Sequence, residues 1–179
     1  TFNSAPAMVD LNGDALLDLV VGYRNWSKKS ALFAYIHQGT VESPDWVQDV
    51  SAFPATVDVV ERYTAPTFVD IDGDSDQDLV MGNWDGRLYL FENTGTASSP
   101  IWTFRPTFFL GIDTGNHSIP AFADLDDDGD FDLTVGEDNG ALTYFQNLGN
   151  AAVAEFDINE PDTTFFRNID VGGRSAPTF

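Results

Sequence analysis

Cysteine is absent from the sequence, which excludes disulfides and thiolate metal sites and leaves the redox compartment open on this criterion. Basic residues are scarce: eight Lys and Arg stand against 29 Asp and Glu, for a formal net charge of -21. Nucleic-acid binding depends on cationic side chains that neutralise phosphates, so this balance excludes that class of partner. No apolar run approaches the roughly 18 to 20 residues that span a bilayer, and membrane insertion is not expected. The start, Thr1-Phe2-Asn3, shows no basic-then-apolar leader, so the chain reads as a mature or excised segment. What is present is core material, with 42% hydrophobic residues and 15 Phe in 179 residues.

The acidity is concentrated. The stretches Asp10 to Asp18, Asp70 to Asp78 and Asp124 to Asp132 hold three, five and six Asp, 14 of the 29 acidic residues. Each is embedded in a repeat. Pro6-Ala-Met-Val-Asp10, Pro66-Thr-Phe-Val-Asp70 and Pro120-Ala-Phe-Ala-Asp124 precede the acidic stretches; Asp-Leu-Val-Val-Gly22, Asp-Leu-Val-Met-Gly82 and Asp-Leu-Thr-Val-Gly136 follow them. The repeats lie 60 and then 54 residues apart. Downstream, Leu88 to Gly95 matches Leu142 to Gly149 and, more loosely, Leu32 to Gly39, and each is followed by an aromatic residue, Trp46, Trp102 or Phe156. The last five residues, Ser175 to Phe179, repeat the pattern of Thr64 to Phe68. The units are therefore 1–63, 64–117 and 118–174, with 175–179 starting a further repeat or forming a closing strand.

Within each unit, short runs of Val, Leu, Phe, Tyr and Trp are punctuated by Gly, Pro and Asn, with no apolar stripe at helical period. Each unit reads as about four short strands in an all-β fold. Asp85-Gly86 and Asn139-Gly140 are expected to form tight hairpin turns with positive φ at both central positions, joining the second and third strands. In the first unit, Tyr23 to Ser30, with Trp26, Lys28 and Lys29, replaces that turn by a longer, basic loop.

The acidic loops place oxygen-bearing side chains at relative positions 1, 3, 5 and 9: Asp10, Asn12, Asp14, Asp18; Asp70, Asp72, Asp74, Asp78; Asp124, Asp126, Asp128, Asp132. Position 7 is expected to offer a backbone carbonyl. Calcium takes six to eight hard oxygens at about 2.3–2.6 Å, which such a spacing supplies, whereas magnesium demands stricter octahedral geometry. Without a cation, each pair of converging carboxylates repels by about 1 kcal/mol even with water-like screening. Three calcium sites are expected. The helix–loop–helix calcium hand is excluded because its twelfth position must be Glu, and Val21, Met81 and Val135 stand there.

These motifs resemble the FG-GAP and VCBS repeat family, whose units follow P-x-F-x-D-x-(D/N)-x-D-G-x-x-D-L-x-x-G and include the calcium-bearing blades of integrin α-chains. The resemblance implies three four-stranded β-propeller-type blades, as an incomplete ring or an open repeat array. It also implies calcium in the loop between the first and second strand of each blade, held by the twelve residues named above. Asn12 in place of Asp departs from the pattern, as does the lack of Gly after the fifth position in the first two loops. By ligand charge, the first site should be the weakest.

Other chemistry is sparse. Carboxylates committed to calcium cannot serve as a glycosidase pair. His37 aligns with Asn93 and Asn147 and is expected in a structural hydrogen-bonding position, and no nucleophile elbow, phosphate-cradling loop or zinc pattern occurs. The expected function is a non-enzymatic, calcium-stabilised extracellular or cell-surface scaffold or adhesion module. Its partner is a protein or further copies of itself, joined head-to-tail. The alternative is a glycan-binding module, attached to a polysaccharide-degrading enzyme, with Trp26, Trp46, Trp84 and Trp102 as stacking faces. Asn25 and Asn116 head Asn-x-Ser sequons and would accept N-glycans in a secreting eukaryote.

Overall fold

A computed structural model describes residues 4–24, 30–55, 57, 60, 64–158, 161–167 and 169–179. The described residues are all-β, with eleven strands in three antiparallel sheets. The first sheet orders β1 (Ser4–Val9), β2 (Asp18–Arg24), β3 (Ser30–His37) and β4 (Trp46–Asp49) side by side. The second repeats this with β5 (Ala65–Val69), β6 (Asp78–Gly82), β7 (Leu88–Asn93) and β8 (Trp102–Arg105). The third contains only β9 (Ile119–Ala123), β10 (Asp132–Gly136) and β11 (Leu142–Phe145).

The expectation of three four-stranded units is thus corrected at the third. Where β4 and β8 form ladders, the described residues of the third unit make isolated bridges, Asn147 with Phe156 and Tyr144 with Asp162. Pro161 stands between them in the chain, and proline lacks the N–H that a continuous ladder needs. The hairpin turns also differ from expectation. Only Gly86 (φ 83°) and Gly140 (φ 92°) are left-handed, while Asp85 and Asn139 are not. Gly86 N–H donates to Asn83 O, and Asn83 N–H to Arg87 O, so the turn is a four-residue one closed by a left-handed glycine. The Asn83 side chain stabilises this form by accepting from Arg87 N–H at 2.9 Å. In the first unit, residues 25–29 of the long loop, with Trp26 and the Asn25 sequon, lie outside the described residues.

The core sits between sheets rather than within one. Val9, Val20 and Ala34 of the first sheet face Phe68 and Trp102 of the second, with Phe53 from the connection between them. Leu79, Met81 and Phe91 belong to the same joint, while Val80, Leu88 and Leu90 on the opposite face pack on Leu133, Val135 and Phe145 of the third sheet. Strands β6 and β10 are buried along their whole length because both their faces are covered. This explains why Asp-Leu-Val-Met-Gly is a continuous apolar run instead of an alternating one. The first strands β1, β5 and β9 lie next to one another and, with residues 176–179, line an open cavity of about 750 Å³.

The closing glycine of each second strand has a steric reason. A Cβ on Gly22 would lie 2.1 Å from Thr64 O, one on Gly82 2.1 Å from Ser118 O, and one on Gly136 2.3 Å from Ser175 O. The backbone of the following segment crosses at each point. Ser118 Oγ accepts from Asn83 N–H and Ser175 Oγ from Glu137 N–H, so the C-terminal segment is seated on the third unit as β9 is seated on the second.

Candidate metal centres in the acidic loops

Each acidic loop connects the first strand of a unit to the second, and the ninth-position Asp opens that second strand. The first-position Asp winds the loop. Asp70 Oδ1 accepts from Gly73 N–H at 2.8 Å and Asp74 N–H at 3.1 Å, and Oδ2 accepts from Ser75 N–H at 3.0 Å. Asp10 and Asp124 make the same three bonds in their loops. The winding places two left-handed residues in every loop, Gly13 and Ala15, Gly73 and Ser75, Asp127 and Gly129. Fifth-position carboxylates accept from the seventh N–H: Asp14 from Leu16, Asp74 from Asp76, Asp128 from Asp130.

The ninth-position Asp is a clip. Asp78, fully buried, accepts from Ile71 N–H through Oδ2 and from Asn93 N–H through Oδ1, joining loop, β6 and the end of β7. Asp18 does the same with Leu11 and His37, and Asp132 with Leu125 and Asn147. His37 therefore occupies the structural position that its alignment suggested, with its ring against Trp46 at 4.8 Å.

Two of the three loops gather ligand atoms. One oxygen each from Asp70, Asp72 and Asp78 lie within 4.8 Å of one another, as do those from Asp124, Asp126 and Asp128. Asp74 and Asp132 stand outside these trios, and Asp132 is engaged by its two backbone donors. In the first loop no such trio of carboxylates forms among the described residues. Asn12 Nδ2 instead donates to Asp14 Oδ2 at 3.0 Å, tying two of its four oxygen-bearing side chains together.

Electrostatics mark the second loop most strongly. Burial lifts the Asp78 carboxyl to about 7, against the backbone hydrogen bonds that oppose it. Burial and then the Asp74 charge raise Asp72, whose buried Oδ1 has no hydrogen-bond partner. In the third loop, burial raises Asp132, and burial followed by the Asp132 charge raises Tyr144. Oxygen-only donors, close approach and a carboxylate oxygen without a donor fit a hard divalent cation such as calcium.

Sequence reading missed the side chains at position 7. Asp76 and Asp130 are buried, and the signal was an Asp at every second residue from Asp70 to Asp78 and from Asp124 to Asp132, with Asp127 in addition. Of the three described tryptophans, Trp84 and Trp102 are engaged in packing, while Trp46 is exposed. Trp102 donates from Nε1 to Ala52 O and packs on Phe53, and Trp84 meets the edge of His117 at 3.7 Å. Asn116 of the second sequon is exposed.

No curated protein and no solved structure matched the chain. Among the described residues, no helix is long and apolar enough to cross a membrane. Residues 70–135, from the second acidic loop to β10, match the model of the FG-GAP-like repeat, the family that the motifs resemble.

Proposed function

We propose that the chain is a non-enzymatic, calcium-stabilised scaffold or adhesion module that acts outside the cell or at its surface. The observation that carries this reading is the convergence of Asp70, Asp72 and Asp78, and of Asp124, Asp126 and Asp128, on points that a cation would bridge. In this reading Asp74, Asp132 and the first loop's Asp10, Asn12, Asp14 and Asp18 complete three sites, the first of them the weakest. Weak calcium sites fill where calcium is abundant, which supports an extracellular setting.

The first and second loops each lie against the turn of the next unit: Gly13 meets Ser98, and Gly73 meets Ala151. A cation in a loop therefore stiffens the joint between two units as well as the loop. A module of this kind presents its remaining loops and end faces rigidly to a protein partner, a further copy included. The test is a calorimetric calcium titration with melting curves in calcium and in chelator. Saturable binding with a raised melting temperature supports the reading, and identical curves overturn it.

A further inference from the structure

Two buried carboxylates take no part in the ligand set described so far. Asp76 is 5% exposed and Asp130 7%, and the buried Oδ1 of each has no hydrogen-bond partner. Among the described residues neither forms an ion pair: the charged pairs of Arg105 and Arg174 go to Glu92 and Asp138. The N–H of each is fixed on the fifth-position carboxylate, Asp74 or Asp128, which draws the residue toward the loop interior. Asp76 accordingly feels, after its burial, the charges of Asp74 and Asp72, a side-chain hydrogen bond shared with Asp74 and the charge of Asp70, and Asp130 the charges of Asp128, Asp132, Asp126 and Asp124. A buried carboxylate pointed at other carboxylates is unfavourable unless a proton or a cation joins it. The first loop, which gathers no trio, has the half-buried Leu16 at this position.

We propose that the Asp76 and Asp130 side chains are further oxygen ligands of the cations in the second and third loops. They contribute charge at the seventh position, where the repeat otherwise offers a backbone carbonyl. This rests on the calcium reading and deepens it: the second and third loops each bring five carboxylates to the ion, and the first brings three and an amide. The chain should therefore show two tight sites and one weak one.

The test is calorimetric calcium titration of the full chain, unsubstituted and as Asp76→Asn, Asp76→Leu and Leu16→Asp. Asn is nearly isosteric, and Leu is the residue the first loop tolerates, so folding is checked by circular dichroism in both. Each Asp76 substitution is expected to weaken one site by at least about tenfold, and Leu16→Asp to tighten the weak one. Unchanged affinities in Asp76→Asn and Asp76→Leu would overturn the proposal while leaving the calcium reading intact. Absence of binding by the unsubstituted chain would overturn the calcium reading itself.

Discussion

Aspartates in one loop do different work, and substitution separates them. Asp72 meets only the backbone N–H of Asp74 within its own loop and has a buried oxygen without a partner, whereas Asp78 holds two backbone donors from separate segments. Asp72→Asn should lower calcium affinity while leaving the metal-free melting temperature unchanged or raised, because it relieves repulsion. Asp78→Asn leaves one backbone N–H facing an amide donor, and should destabilise the chain by about 1–3 kcal/mol with or without calcium. Melting curves of both variants in calcium and in chelator check this. The same carboxyls give a pH dependence. Asp76 and Asp78 are raised to about 6 and about 7 in the folded chain, chiefly by burial, above an ordinary carboxylate value of 3.8. Between these limits the folded state keeps protons that the unfolded state has released, so stability is greatest at the acid end and is lost as pH rises through the folded values. Carboxyls held low, such as Asp49 and Glu92, titrate below this window. In chelator the melting temperature should fall between about pH 5 and about pH 7.5, and calcium should abolish the fall by taking the place of the protons. A rise over that window in chelator would contradict the assignment.

At the level of elements, the joints between units depend on closeness that side chains would prevent. Gly73 has φ 74°, and a Cβ there would lie 2.8 Å from Ala151 O. Gly73→Ala combines a left-handed strain of about 1–2 kcal/mol with displacement of the neighbouring turn, so the expected loss is roughly 2–4 kcal/mol. Chemical denaturation measures it, and a loss below about 0.5 kcal/mol would show that the turn yields freely. In the third loop the equivalent position is Asp127, also left-handed at φ 65°. A further unit seated on the third in the internal register would meet that Cβ. The fourth strand of each unit was legible from the recurring aromatics in only two cases. Phe156 matched Trp102 in sequence, but two isolated bridges replaced the ladder, and Pro161 between the bridged Phe156 and Asp162 offers no donor. The glycine-containing turns were legible as turns, while their form was decided by Asn83 reaching across to Arg87 N–H.

For the whole molecule, calcium acts by mass action on the folded state. At about 100 times its dissociation constant each site adds about 2.7 kcal/mol, so the two gathered loops together supply about 5 kcal/mol, comparable with the entire stability of a small domain. Chelation should therefore lower the melting temperature by well over 10 °C, read by calorimetry. The proposed head-to-tail partner is tested by light scattering of this chain in calcium and in chelator. A calcium-dependent multimer supports association of copies, and a single mass in both conditions turns the search to other protein partners.

The sequence by itself determined the repeat, the all-β class, the position of each loop between first and second strands, and the closing glycines, because these rest on local pattern and on period. It also named the oxygen-bearing side chains, since alternation along a short loop is a local property. Tertiary structure decided which of them converge. The ninth-position Asp is committed to backbone donors from two strands, Asp76 and Asp130 are buried by the packing around their loops, and the first loop closes on its own Asn12 and Asp14. Those outcomes depend on what lies across space from each carboxylate, and spacing along the chain carries no record of that.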